Sequence, residues 1–98
     1  MKIDFTFDKN EKIATVSLDG RLDTVTAPEL EGFLSENIKD AASLTINCEK
    51  LVYVSSAGLR VLLATQKKMK SAMKLTNVCE LVMEVFEMTG FSDVLVIE

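Results

Sequence analysis

Three times along this chain, a stretch with apolar residues at every second position gives way to one with apolar residues three and four apart. Side chains alternate across a strand but recur every 3.6 residues on a helix, so each change of period is a change of secondary structure. Ile3, Phe5 and Phe7 begin the chain as a half-buried strand, and the DKNE at 8–11 reads as a turn. Ala14, Val16 and Leu18 form a second strand that Asp19-Gly20 is expected to stop, close enough to the first to pair as a hairpin. The segment 26–40, TAPELEGFLSENIKD, is predicted helical, with Leu30, Phe33, Leu34 and Ile38 on one stripe. Thr26 and Glu29 have the spacing of a capping box, and Pro28 falls in a first turn, where its missing N–H is not needed.

Leu44, Ile46 and Cys48 make a third alternating strand. A second helix is predicted from Ala57 to about Ser71, with Leu59, Leu62, Leu63 and Met69 on one side and Lys67, Lys68 and Lys70 largely off it. Met73 and Leu75 suggest a short fourth strand. Asn77 with Glu80 repeats a cap signature before a third helix striped by Val78, Leu81, Val82, Val85 and Phe86, which Gly90 ends. Val94 to Ile97 reads as a last, fully apolar strand. The order ββαβαβαβ implies an α/β fold with parallel crossovers after an antiparallel first pair. Three strands alternate instead of being apolar on both sides, so the helices should pack mainly on one face of the mixed β-sheet. A chain of 98 residues fits one domain, 1–98.

The formal net charge is −4, from 11 basic and 15 acidic residues, which argues against nucleic acid or an anionic membrane as the main partner. There is no histidine, which removes the commonest general base and the commonest metal ligand together. No cofactor and no metal are expected. Cys48 and Cys79 form no CxxC pair and read as reduced, buried, small hydrophobes. MKIDFTFD carries charge too early for a signal peptide, and no apolar run approaches the ~18 residues of a membrane span, so a cytoplasmic protein is expected.

The stretch LVYVSSAGLRVLLATQKK, 51–68, sets two hydroxyls between an apolar run and a helix. A helix beginning near Ala57 leaves backbone N–H groups without partners, and a serine oxygen can accept from one of them. Capping is therefore one reading of Ser55 and Ser56. Modification is the other. Gly58 sits in the first turn, where it costs about 1 kcal/mol relative to alanine, and with Ala57 it leaves bare surface by which another molecule could approach a serine. A hydrolase is set aside: VSSAG is not GxSxG, and without histidine there is no Ser-His-Asp triad. A Ser-Lys pair is the formal remainder. Gly20 alone or Gly58 alone makes no phosphate-binding fingerprint.

LDGRLDTVTAPEL, 18–30, followed by LVYVSSAGLRVLL, 51–63, resembles the STAS domain, and in particular the bacterial anti-sigma factor antagonists. The predicted element order and MTGFSDVLV, 88–96, extend the resemblance over the whole chain. In a gapless register, Gly58-Leu59 falls on the family's Gly-Leu and its phosphorylated serine on Ser56. Ser55 stands where many antagonists carry aspartate, and Ala57 where they carry a second Ser or Thr. Asp23 matches the family's acidic residue after the second strand. The resemblance implies a STAS-like sheet and a partner switch, not an enzyme. Unphosphorylated, the domain would bind an anti-sigma factor with serine kinase activity; phosphorylation at Ser56 would end the binding and a serine phosphatase would reset it. Asp23, Ser55, Ser56, Ala57, Gly58 and Arg60 are the residues this assigns to the partner surface. The alternative is a STAS module in a signalling complex or in the accessory apparatus of a lipid transporter.

The remaining features have plain readings as well as sharp ones. Lys67, Lys68, Lys70 and Lys74 read as a solvated helix face or an auxiliary contact to an acidic partner. Arg60 is either an exposed helical arginine or a partner for phosphate, and Asp23 can simply stabilise its turn. Met69, Met73, Met83 and Met88 read as core filler and surface scatter, not a groove.

Overall fold

The alternating periods become four strands and three helices in the computed structural model, which describes Met1–Glu98. They are β1 (Lys2–Asp8), β2 (Ile13–Leu22), α1 (Ala27–Asn37), β3 (Ser43–Val54), α2 (Ser56–Met69), β4 (Met73–Thr76) and α3 (Glu80–Thr89). The strands lie in the order β1-β2-β3-β4. The first pair is antiparallel and the other two are parallel, as a hairpin followed by two helical crossovers requires.

One face of this mixed sheet is apolar. Ala14, Val16, Leu18, Leu44, Ile46, Cys48, Met73 and Leu75 are all buried on it. They share one core with Leu30 and Leu34 of α1, Leu59, Val61 and Leu62 of α2, and Val82 and Phe86 of α3. The other face carries polar rows such as Thr6–Thr15–Thr45–Lys74 across the strands. The helices thus gather on the apolar side, as the alternation implied. No helix is long and apolar enough to cross a membrane.

Several boundaries depart from the sequence reading. Asp19-Gly20 does not stop β2, which runs on to a buried Leu22. Gly20 has φ 113°, a conformation glycine adopts without a Cβ penalty, so the strand bends where it was expected to end. In β3 the pairing with β2 slips twice: Ser17↔Asn47 is followed by Asp19↔Lys50, and Gly20↔Leu51 by Arg21↔Tyr53. Each slip inserts one extra residue into β3, a pair of bulges. Burial therefore passes from every second residue (Leu44, Ile46, Cys48) to every third (Leu51, Val54), leaving Val52 and Tyr53 outside.

The caps differ too. Thr26 makes no side-chain bond to the N-terminus of α1, because its hydroxyl donates to the Arg21 carbonyl at 2.7 Å. Asn77 takes φ 55° and donates its amide to Asn47 Oδ1 at 3.0 Å, so half-buried Cys79, not Asn77, precedes α3. Only Val82 and Phe86 of the α3 stripe are fully buried, and Leu81 is exposed. On α2, Val61, Thr65 and Gln66 are buried where Leu63 and Met69 were expected. The closing strand reduces to a single parallel bridge, Leu75↔Ile97, after a 3-10 turn at Phe91–Asp93. Buried Gln66 accounts for this: its amide donates to the Met73 carbonyl at 3.1 Å and accepts from Val96 N–H at 3.1 Å, standing in for a strand partner. Val94 and Val96 are exposed, Leu95 is buried in the core and Ile97 packs half-buried against it.

The junction between β2 and α2 is the tightest place in the fold. A Cβ on Gly58 would lie 2.6 Å from Leu22 Cγ and 2.8 Å from the Leu22 carbonyl oxygen. Gly32, on the exposed side of α1, would meet nothing within 4 Å. The two glycines should therefore respond oppositely to the same change. Gly32→Ala is expected to raise stability by about 0.5–1 kcal/mol through helix propensity. Gly58→Ala is expected to lower it by about 1–3 kcal/mol, the cost of overpacking exceeding the propensity gain. Urea denaturation of both variants checks this, and equal gains would show that α2 is free to move off Leu22.

Candidate functional site

The candidate site lies where β3 hands over to α2, beside the end of β2. Leu22 and Val54 are the last paired residues of their strands. The Ser55 N–H donates to the Leu22 carbonyl at 2.8 Å, which holds the start of α2 against the loop after β2. Ser55 then takes extended backbone angles, and its hydroxyl accepts from the Gly58 N–H at 3.3 Å. Its carbonyl receives the Leu59 N–H at 2.9 Å, the first bond of the helix. Ser55 is thus the N-cap. Serine and aspartate cap about equally well, so serine here preserves the structural duty that an aspartate would perform.

Ser56, the first helical residue, is exposed, and its hydroxyl takes no part in this bonding. The two serines are divided between two tasks: one oxygen closes the helix and the other faces solvent. No acidic side chain stands in the first turn of α2. Ala57 is half-buried and Gly58 is buried. Gly58 therefore does not keep an outer surface bare, as its place in the sequence suggested. It keeps an inner one close, letting the helix reach Leu22. Arg60 is exposed on the next turn.

Asp23 enters the same neighbourhood through the backbone, one residue beyond the Leu22–Val54 pair. Its Oδ1 accepts from the N–H groups of Val25 and Thr26, each at 3.0 Å, and from the Thr26 hydroxyl at 3.2 Å. The Thr26 hydroxyl oxygen in turn accepts the Asp23 N–H at 2.8 Å. This is an Asx-type turn that ends at the start of α1. The bond from the Thr26 N–H is the largest cause holding the Asp23 carboxyl below its ordinary value of 3.8; partial burial opposes it, and Val25, the Thr26 hydroxyl and Arg21 assist. Arg21 stands 4.0 Å from the carboxylate and stacks 4.1 Å above the Tyr53 ring, a contact between β2 and the bulged β3.

The structure thus gathers Asp23, Ser55, Ser56, Ala57 and Gly58 at the C-terminal ends of β2 and β3, with Arg60 one turn along the helix. It adds two residues the sequence reading passed over. Leu22 continues the period of Ala14, Val16 and Leu18 beyond Gly20, a signal that was present but hidden by the glycine. Tyr53 pairs across to Arg21 only because of the bulges, which nothing in the local sequence announces. No group of three or more histidine, cysteine, aspartate or glutamate side chains gathers in a way that could hold a metal ion.

Replacing Asp23 separates its acceptor from its charge. Asp23→Ala should lower the melting temperature at neutral pH, whereas Asp23→Asn, which keeps an oxygen acceptor, should lower it less. A carboxyl whose folded value is depressed stabilises above its unfolded value and loses that contribution as pH falls through the folded one. The gap between wild type and Asp23→Asn should therefore close on acidification below 3.8. Thermal melts across pH check this, and a gap independent of pH would mean that the charge contributes nothing to the turn.

The STAS domain family model matches residues 4–98. The chain is 34% identical over 90 residues to BtrV of Bordetella bronchiseptica, covering 88% of this chain and 78% of that protein. It is 31% identical over 98 residues to the anti-sigma-B factor antagonist of Bacillus subtilis, covering 97% and 90%. Among solved structures, the Bacillus anti-sigma factor antagonist SpoIIAA has the same fold. Its unphosphorylated form superposes with a TM-score of 0.74 at 16% identity, covering 99% of this chain and 87% of that one. Its phosphorylated form superposes at 0.72 and 17%, covering 99% and 91%. With the family model spanning all but the first three residues and the mixed sheet bearing its helices on one face, this chain belongs to the STAS domain family.

Proposed function

We propose that this domain is an anti-sigma factor antagonist whose binding is switched by phosphorylation at Ser56. The observation that carries the reading is the division of the serine pair, in which Ser55 caps α2 and Ser56 presents a free, exposed hydroxyl. Named relatives that are anti-sigma factor antagonists support the partner class. In the unphosphorylated state the surface around Ser56, with Ala57, Arg60 and the Asp23 loop, would engage an anti-sigma factor that is also an ATP-dependent serine kinase. That kinase would transfer the γ-phosphoryl group of ATP to Ser56 Oγ, and a serine phosphatase would remove it.

The physical chemistry of the position suits such a switch. A phosphate brings about −1.5 to −2 charges at neutral pH. The start of a helix offers unpaired N–H groups and the positive end of its dipole, and no carboxylate of the first turn of α2 opposes the charge. Arg60, four residues on, has the spacing to meet a phosphate on Ser56. The domain therefore keeps its fold when modified. A partner surface packed over the hydroxyl would have to bury the same charge without a counter-ion, at a cost of several kcal/mol. About 3 kcal/mol is already roughly a hundredfold in affinity.

Incubation with a cognate kinase and ATP, followed by peptide mapping, should place one phosphate on Ser56, and Ser56→Ala should abolish it. Ser55→Ala should lower stability by about 1 kcal/mol as a lost cap, yet leave Ser56 a substrate. Ser56→Asp should keep the thermal melt and weaken partner binding by about a hundredfold or more. Phosphate found on Ser55, or a collapsed melt for Ser56→Asp, would overturn the assignment.

A further inference from the structure

The bulges that turn Val52 and Tyr53 outward leave them facing α3 across a groove. Its walls are Val52, Tyr53 and Val54 on the strand, and Leu81, Val85 and Met88 on the helix, enclosing about 260 Å³. The apolar groups on it are unusually open: Leu81 is 68% exposed, Met88 86% and Val52 57%. Met88 thus lines a groove, where the sequence suggested only scatter.

The charge around this groove is one-sided. Glu80, Glu84 and Glu87 recur along α3 at the spacing of one helical stripe, adjoining the stripe of Leu81, Val85 and Met88. All three are exposed, and Glu84 lines the groove itself. α3 carries no lysine or arginine. Arg21, the cation stacked on Tyr53, also stands beside Asp23. A second copy of this chain laid symmetrically on the groove would bring two sets of three glutamates together, which opposes self-pairing.

We infer that this groove is a docking site for a basic amphipathic helix of a partner protein, its apolar stripe seated against Leu81, Met88 and Val52 and its lysines or arginines facing Glu80, Glu84 and Glu87. The geometry follows the general way a helix enters an apolar groove, with anchors at helical spacing and flanking charges that set orientation. The strand wall of the groove ends at Val54, two residues before Ser56, and neither serine lines it.

A titration of the ¹⁵N-labelled domain with a designed helical peptide of leucine and lysine, observed by NMR, tests this. Shifts are expected to concentrate on Val52, Tyr53, Leu81, Val85 and Met88. Leu81→Ser with Met88→Ser, which removes exposed side chains and should spare the fold, is expected to weaken binding at least tenfold. Glu80→Gln, Glu84→Gln and Glu87→Gln together should weaken it several-fold and flatten its salt dependence. A leucine–glutamate peptide of the same pattern should not bind. Shifts spread over the acidic surface at large, wild-type affinity in the Leu81/Met88 double variant, or concentration-dependent shifts at these residues without peptide would each overturn the inference, the last by identifying a second copy as the occupant.

Discussion

At 2.6 Å from Leu22 Cγ and 2.8 Å from the Leu22 carbonyl oxygen, the position of a Cβ on Gly58 is already taken. Helix α2 can start where it does only because that residue has no side chain. The same Leu22 carbonyl accepts the Ser55 N–H, so a single residue at the end of β2 sets both the height and the direction of the helix start. Everything at the site follows from this. The cap oxygen of Ser55 points inward to the Gly58 N–H, which leaves the next residue, Ser56, on the open side. The loop carrying Asp23 is held alongside because it begins at the same leucine.

The bulges in β3 make the second contribution. Two extra residues relative to β2 allow Leu51 and Val54 to remain in the core while the strand bends toward the helix. They also put Val52 and Tyr53 on the surface, where the ring supports Arg21 and helps form the groove beneath α3. β4 pairs only with Leu44–Asn47, so α3, not another strand, flanks the lower half of β3, and the Cys79 thiol donates to the Leu51 carbonyl there at 3.5 Å. Burial pushes the Cys48 thiol up to about 12, with Cys79 adding to the shift. Cys48 stays protonated as an inert core group, while Cys79 is half-buried.

The charge logic of the site rests on its surroundings. The Asp23 carboxylate is engaged by the backbone of its own turn, which favours the structural reading of that residue over a direct meeting with the hydroxyls. The start of α2 has no acidic residue to repel a phosphate. On the proposed reading, a modification there would change what the surface can bind while leaving the packing beneath it in place.

The period of the apolar residues, by itself, determined four strands, three helices, their order and the one-sided sheet, because each depends on neighbours two to four positions apart. The resemblance carried by 18–30 and 51–63 singled out Ser56 from its neighbour. What only the tertiary structure decided was set by contacts distant in the chain. Gly58 serves an inner approach to Leu22 instead of an outer one, and Gln66 replaces a last strand by holding Val96. A local pattern cannot register such contacts, since the partner atom lies tens of residues away or across a bulge that shifts every side chain beyond it.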